Sequence, residues 1–252
     1  MAKQSLAEKL VTAPFDEQLP AQERKDTCLK LSEMMTRVAT SIVCHTLVDH
    51  ASMLDDERLS IAHAFLQRVT STHLCNHKMT AEGLVYEFNG EQFELPEEYK
   101  TMTLTRSVYE HLAMFYFLFE HPKSQEERDT AWRLWKRDGH IEIPTGDGSS
   151  ERLPYSQAWK YLFRNKEVSA LYSHLSMHCH PVYDGLRQYQ TQSPSDGDND
   201  WVPLYLSCCF VAYLCKLFLK ELGRRGVRKR LDLGQRDQEV FNALSLVLQT
   251  SK

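Results

Sequence analysis

The residues from Thr105 to Phe119, TRSVYEHLAMFYFLF, decide the fold because they join a charged first half to an apolar second half. Every residue from Leu112 to Phe119 is apolar, so this half has no face suited to solvent and must be surrounded by other elements. The segment therefore predicts a buried central helix. Arg106 and Glu110 lie four residues apart near its N-terminal end, where they share one face, and burial would favour their pairing.

Two long helices are predicted before the central one. Apolar residues after Pro20 recur at spacings of three and four, which predicts an amphipathic helix that runs to about His50. The acidic residues 55–57 suit the start of a second helix, which carries an apolar face from Leu59 to Val69. We expect these two helices to pack antiparallel to each other.

A change of hydrophobic period separates these helices from the central one. In residues 84–95, LVYEFNGEQFEL, apolar and polar residues alternate on both sides of an Asn-Gly pair. This pattern predicts a small β-hairpin in which Asn89 and Gly90 form a type I′ turn. The central helix is then expected to begin at Glu97 or Glu98.

The segment after the central helix is predicted to contain one capped helix followed by irregular structure. Ser124 and Glu127 form a capping-box pattern, and the helix that they open should stop at Gly139. Residues 143–154, IPTGDGSSERLP, are expected to form a loop. Pro154 and Ser156 are expected to open a further helical region that ends before Pro181.

The last part of the chain is predicted to hold two more helices after a polar loop. Residues 190–200, QTQSPSDGDND, contain no large apolar residue and are expected to be a mobile surface loop. Residues 202–219 are almost continuously apolar, and we favour a buried helix over a membrane span because the run is short and contains Lys216. An amphipathic helix is expected from Asp237 to Leu248.

These elements together predict an all-α fold, a multi-helix bundle around one buried central helix with a small β-hairpin insertion near residues 84–95. The chain of 252 residues is 42% hydrophobic and 25% charged, which suits one domain spanning residues 1–252. A formal net charge of -4 gives no general attraction to nucleic acid or to anionic membranes.

The first residues and the cysteines both favour a cytoplasmic location. The sequence MAKQSLAEKL is polar and lacks the apolar core of a signal peptide. Seven cysteines, with no CxxC pair, are typical of reduced thiols that serve as small core residues. We expect no membrane association.

Arg106 and His111 match the R-x4-H spacing used by HEPN-type ribonucleases, in which arginine stabilises phosphate charge and histidine transfers a proton. The same spacing also occurs from Arg58 to His63 and from Arg68 to His73, so the spacing alone is weakly specific. Five residues of helix are also turned about 140° from one another. Arg106 should therefore point with Glu110, and structural pairing of these two is the simpler alternative.

A second group of polar residues occurs in YSHLSMHCHP, residues 172–181. His174 and His178 have the i, i+4 spacing that can hold a metal, but no HExxH glutamate accompanies them. Ser176 and His180 have the same spacing, but no nucleophile elbow or glycine-rich oxyanion loop surrounds them. We therefore expect neither a metal site nor a serine hydrolase here.

A third group is the basic segment RRGVRKR, residues 224–230. It could bind phosphates, or it could be a solvated turn whose positive charge stabilises the C-terminal end of the preceding helix. The chain lacks a P-loop and a GxGxxG motif after a strand. No cofactor is therefore expected.

Together, Arg106-x3-Glu110 at the head of an aromatic-rich helix and the later Leu175-Ser176-x3-His180-Pro181 resemble a bacterial all-helical family of unknown function, loosely similar to HEPN and abortive-infection proteins. The resemblance covers mainly residues 100–185. It implies a helical bundle in which Arg106, Glu110, Ser176 and His180 meet in one buried polar pocket. The chain departs from the usual HEPN pattern at Ser107, where asparagine or aspartate is common.

Two functions remain open from the sequence. The first is a metal-independent, HEPN-like ribonuclease or toxin-type effector of a bacterial defence system, in which Arg106 binds the scissile phosphate and His111 or His180 moves the proton. RNA and a second copy of the chain would then be the partners. The second is a non-catalytic module that senses a ligand or a protein partner through the same Arg-Glu-Ser-His pocket. An exposed cleft that holds Arg106 and a histidine would favour the first.

Overall fold

The computed structural model describes residues 5–49, 51–82, 85–88, 90–94, 98–144, 149–154, 157–162, 175, 201–227 and 233–248. Over these ranges the chain is a helical bundle with two small hairpins, which confirms the all-α fold class. The helices are α1 (Leu6–Thr12), α2 (Ala21–Asp49), α3 (Glu57–Glu82), α4 (Glu98–Phe115), α5 (Gln125–Asp138), α6 (Trp159–Leu162), α7 (Val202–Arg224) and α8 (Gln235–Val247). The strands are β1 (Val85–Phe88), β2 (Glu91–Glu94), β3 (His140–Pro144) and β4 (Ser150–Pro154).

Helix α4 is the central helix that the sequence predicts. It packs most extensively against α3 and α7, and it continues directly into a π-helical turn, Tyr116–Glu120. Its apolar half is buried because a run of apolar residues without a polar face can be accommodated only inside the bundle. The side chains of Leu112, Ala113 and Phe115 are fully buried.

Helices α2 and α3 form the antiparallel pair that the sequence predicts. His63 of α3 contacts the carbonyl of Val43, and His73, further along α3, contacts Ser32, which lies earlier in α2. The two helices therefore run in opposite directions. Asp56 caps α3, because its Oδ1 accepts a hydrogen bond of 2.9 Å from the backbone N–H of Leu59.

Helix α7 confirms the prediction of a buried apolar helix after residue 201. It packs against α2, α3, α4 and α8, and most of its side chains are buried. Within the described ranges, it is the one helix whose length and composition would allow it to cross a membrane, and 72% of its most apolar window is buried inside the bundle. The core helix of a soluble protein shows the same combination.

The hairpin predicted for residues 84–95 is confirmed. Strands β1 and β2 are antiparallel, and Phe88 pairs with Glu91, so two residues connect the strands. Gly90 has a φ of 82°, the left-handed conformation that such a turn requires. Asn89 lies outside the described residues.

Helix α5 has the predicted boundaries. The hydroxyl of Ser124 accepts a hydrogen bond of 3.1 Å from the backbone N–H of Glu127. The Glu127 carboxylate reaches the backbone N–H of Lys123. At the other end Gly139 has a φ of 63°, which ends the helix in the left-handed conformation.

The prediction of a loop over residues 143–154 was wrong, because this stretch contributes to a second hairpin. Strands β3 and β4 pair antiparallel, with Ile141 opposite Leu153. Both of these side chains are buried, so the hairpin is held by one apolar face packed on the bundle. The residues between the strands are rich in Gly and Asp, so the composition of the whole stretch resembles that of a loop. The alternating runs on either side are too short to be recognised as strands.

Two other predictions for the second half of the chain can be compared with the structure only in part. Pro154 ends β4 rather than opening a helix, because its position is set by pairing with His140. Trp159–Leu162 is helical as expected, whereas the rest of the helical region up to Pro181 and the polar loop at 190–200 lie outside the described residues.

Candidate functional site

Arg106 and Glu110 form the ion pair that their spacing predicts. Arg106 Nε donates to Glu110 Oε1 at 2.9 Å, one turn further along α4. The pair is only partly withdrawn from water, because 20% of the arginine side chain and 38% of the glutamate side chain are exposed. Glu110 is therefore partly neutralised within its own helix.

His111 lies beside this pair but on a different face of α4. Its Nδ1 lies 2.7 Å from the carbonyl oxygen of Ser107, so Nδ1–H donates to that carbonyl and Nε2 is left as an acceptor. Burial lowers the pKa of His111, and the nearby positive charge of Arg68 lowers it further. The ring meets that of Phe65 edge to face, with 5.9 Å between the ring centroids.

The other two R-x4-H copies do not form arginine–histidine pairs. Arg58 forms an ion pair of 2.6 Å with Asp129, whereas His63 is buried against α2. Arg68 is exposed, whereas His73 is buried in the core. The spacing therefore does not bring the two side chains together at either position.

The remaining predicted site residues, Ser176 and His180, lie outside the described residues, as do His174 and His178. Their expected convergence on Arg106 and Glu110 stays a prediction.

The main candidate site among the described residues is a cleft of about 760 Å³ between α3, α4, α5 and α6. We call it the tryptophan cleft. It is lined by Glu57, Ile61, Phe65, Arg68, Glu110, His111, Met114, Trp132, Trp135, Lys136, Gly139 and Trp159. Trp132 and Met114 are buried, whereas Glu57, Arg68 and Lys136 are exposed, so the cleft has an apolar floor and a charged rim.

No family model, curated protein or solved structure gives a significant match to this chain. The likeness to HEPN proteins therefore rests on the sequence motifs alone.

Two of the predicted site residues, Glu110 and His111, line the tryptophan cleft, but Arg106 is not among its lining residues. The arginine whose charge acts on His111 is Arg68, which comes from α3. Sequence reasoning missed Arg68 as a partner of His111 because the two lie on different helices. The sequence did contain one local indication of an aromatic site, the Trp132 and Trp135 pair on α5, which places two large aromatic side chains on neighbouring turns.

A second group of polar side chains is fully buried and connects helices of the core. His73 Nδ1 lies 2.8 Å from the hydroxyl of Ser207 on α7, and its Nε2 lies 3.1 Å from the hydroxyl of Ser32 on α2. Burial lowers the pKa of His73 to about 4. This histidine is therefore neutral near pH 7, and its hydrogen bonds fix α2, α3 and α7 relative to one another.

Four of the six described cysteines are core residues, which agrees with the expectation that most of them would be. Cys28, Cys208, Cys209 and Cys215 are buried, and Cys44 and Cys75 are exposed. Burial raises the pKa of Cys209 to about 12, so its thiol stays protonated and unreactive near neutral pH. The described part of the chain contains no group of three or more histidine, cysteine, aspartate or glutamate residues that could hold a metal ion.

Two arginines of the basic segment 224–230 take part in ion pairs within the chain. Arg224 contacts Glu120 at 2.7 Å and Glu221 at 3.2 Å. Arg225 contacts Glu221 at 3.1 Å and Asp56 at 2.8 Å. These pairs fit the interpretation of this segment as a turn that stabilises the end of α7, whereas residues 228–230 lie beyond the part of the chain that the structure describes.

Proposed function

We propose that the protein is a non-catalytic ligand-binding module of the cytoplasm and that the tryptophan cleft is its recognition site. The observation that carries this proposal is the cleft itself, whose volume of about 760 Å³ falls within the range of small-molecule sites. An apolar floor with a few polar groups at the rim is also the usual composition of such sites.

The ion pairs at the cleft favour binding over catalysis. A carboxylate that acts as an acid or base must be available to the substrate, but Arg106 engages Glu110 at 2.9 Å, and Lys136 engages Glu57 at 2.6 Å. Both carboxylates of the lining are therefore held in ion pairs. These pairs can shape and orient the rim without taking part in a reaction.

Tryptophan fluorescence tests the proposal, because three of the four tryptophans line the cleft. We expect naphthalene-2-carboxylate or naphthalene-2-carboxamide to quench the emission saturably. Trp135→Ala should weaken this binding by removing one aromatic wall, whereas Phe15→Ala, which truncates an exposed aromatic residue outside the cleft, should not. Absence of saturable binding, or equal loss in both folded variants, would contradict the proposal.

One observation favours a second candidate, the metal-independent ribonuclease of a defence system. His111 Nε2 is an available proton acceptor in the cleft, and the positive charge of Arg68 is close enough to affect its pKa. These are the two chemical groups that the cleavage of RNA through its own 2′-hydroxyl requires. RNA, and a second copy of the chain that would pair two such sites, are partners under this candidate only.

Incubation of purified protein with total RNA tests the second candidate. If His111 acts as the base, the parent should cleave RNA and folded His111→Gln should not, because glutamine cannot accept the proton. Absence of cleavage by the parent would remove the ribonuclease candidate and leave the binding module in place, whereas unchanged cleavage by folded His111→Gln would exclude His111 as the base.

A further inference from the structure

We propose that the ligand of the tryptophan cleft is a planar aromatic anion, whose negative group is bound by Arg68 and whose ring packs against the exposed parts of Phe65 and Trp135. This inference rests on the proposed function, because it names the chemical class of the ligand for the same cleft. The class covers nucleotides and aromatic carboxylic acids, which share a flat ring and an anionic group.

The charges around the cleft identify Arg68 as the group that needs an anion. Five lining residues can carry charge, and two of the carboxylates are already neutralised, Glu57 by Lys136 and Glu110 by Arg106. Arg68 forms no ion pair with any of the described residues. Among the described residues, the Arg68 charge is therefore uncompensated, and at the edge of a cleft with an apolar floor it favours a negatively charged ligand group.

His111 does not supply a second positive charge. Burial and the positive charge of Arg68 lower its pKa, so the ring is neutral near pH 7. Arg68 and His111 both line the cleft, so the guanidinium and the imidazole face the same cavity. The neutral Nε2 can accept a hydrogen bond from an amino, hydroxyl or ring N–H group of the ligand.

The aromatic side chains make the cleft suitable for a flat ring. Phe65 and Trp135 have ring centroids 6.3 Å apart with an angle of 43° between their planes, and Trp132 lies 5.3 Å from Trp135. Trp135 and Phe65 are both half-buried, so part of each ring remains available. Offset or edge-to-face packing on such rings adds to the affinity of a planar ligand.

Matched ligand pairs measure the role of the negative charge. We would titrate the protein with naphthalene-2-carboxylate and naphthalene-2-carboxamide, and with adenosine 5′-monophosphate and adenosine. In each pair that binds, the anion should bind about 10-fold more tightly than the neutral compound, because a charge-assisted hydrogen bond to Arg68 replaces a neutral one. The pair that shows the larger difference indicates whether the natural ligand is closer to an aromatic acid or to a nucleotide.

Arg68→Gln should abolish this preference, because the anions lose their charge-assisted hydrogen bond and then bind no more tightly than the neutral compounds. Arg133→Gln is the matched control, since Arg133 is an exposed arginine of α5 that is not a lining residue. Neutral compounds that bind the parent as tightly as the anions, or a preference that survives in Arg68→Gln, would overturn the inference and leave the proposed function standing. If none of the four compounds bound the parent, both would be overturned.

Discussion

At the level of single side chains, the spacing of Arg106 and Glu110 predicted their partnership but could not predict their exposure. Burial in a low dielectric would make loss of the arginine cost several kcal/mol, because an uncompensated carboxylate would remain inside the protein. The structure instead leaves 20% of Arg106 and 38% of Glu110 exposed. Exposure depends on which elements cover a helix face, and the sequence of that helix alone does not contain this information.

We therefore expect Arg106→Ala to lower the free energy of unfolding by only about 1 kcal/mol, since water can solvate the remaining carboxylate. Urea denaturation of the parent, the two single alanine variants and the double variant would measure the coupling between Arg106 and Glu110. A loss above about 3 kcal/mol for the single variant would show that the pair is effectively buried.

His73 gives a prediction for the dependence of stability on pH. Its pKa is about 4 in the folded protein, compared with 6.5 for an unperturbed histidine. Between these values the unfolded chain binds a proton that the folded protein does not, so the free energy of unfolding falls as the pH falls from about 6.5 to about 4. The full effect is about 3 kcal/mol.

Comparison of the parent with His73→Gln isolates this effect from other titrating groups. Glutamine can retain hydrogen bonds to Ser32 and Ser207 but does not titrate. We expect denaturant unfolding at a series of pH values to show a shallower loss of stability at acidic pH for His73→Gln. Parallel curves for the two proteins would contradict the lowered pKa.

At the level of secondary structure elements, the first hairpin depends on its turn. Gly90 has a φ of 82°, and no atom lies within 4 Å of the position that a Cβ would occupy there. Gly90→Val should therefore destabilise β1 and β2 through backbone strain rather than through a clash. Amide exchange should accelerate in residues 85–94 and remain slow in α4, and protection that is lost in α4 as well would show that the hairpin supports the bundle.

The sequence was informative about elements whose pattern is long and local. Helices α2, α3, α4 and α7 have many periodic or continuous apolar positions, so their presence and approximate ends could be predicted. The hairpin of β3 and β4 could not, because its buried face consists of few residues such as Ile141 and Leu153 around a glycine-rich connection. The tryptophan cleft is also a tertiary feature, since Phe65, His111 and Trp135 meet only after three helices pack together.

At the level of the whole molecule, an ion-pair network joins the end of α7 to α3 and to the π-helical turn. Glu221 is 4% exposed and is paired with both Arg224 and Arg225. Arg224 also contacts Glu120, and Arg225 also contacts Asp56. The buried carboxylate therefore has two cationic partners, either of which can compensate it.

This redundancy predicts a strongly non-additive effect on stability. Arg224→Gln and Arg225→Gln should each cost about 1 kcal/mol, because the other arginine still neutralises Glu221. The double variant should cost about 3 to 5 kcal/mol, because it leaves an uncompensated buried charge. Denaturant unfolding of the three variants would measure this, and additive losses would show that water reaches Glu221.

The place of α7 in the chain order bears on how the protein is synthesised. Helices α2, α3 and α4 all pack on α7, yet α7 leaves the ribosome only after all three of them. Their apolar faces therefore stay uncovered throughout most of translation, a state that is prone to aggregation and that chaperones protect. A premature stop codon before Val202 would remove the helix on which the other three assemble. The shortened chain would therefore lose the centre of its hydrophobic core and not merely a peripheral helix.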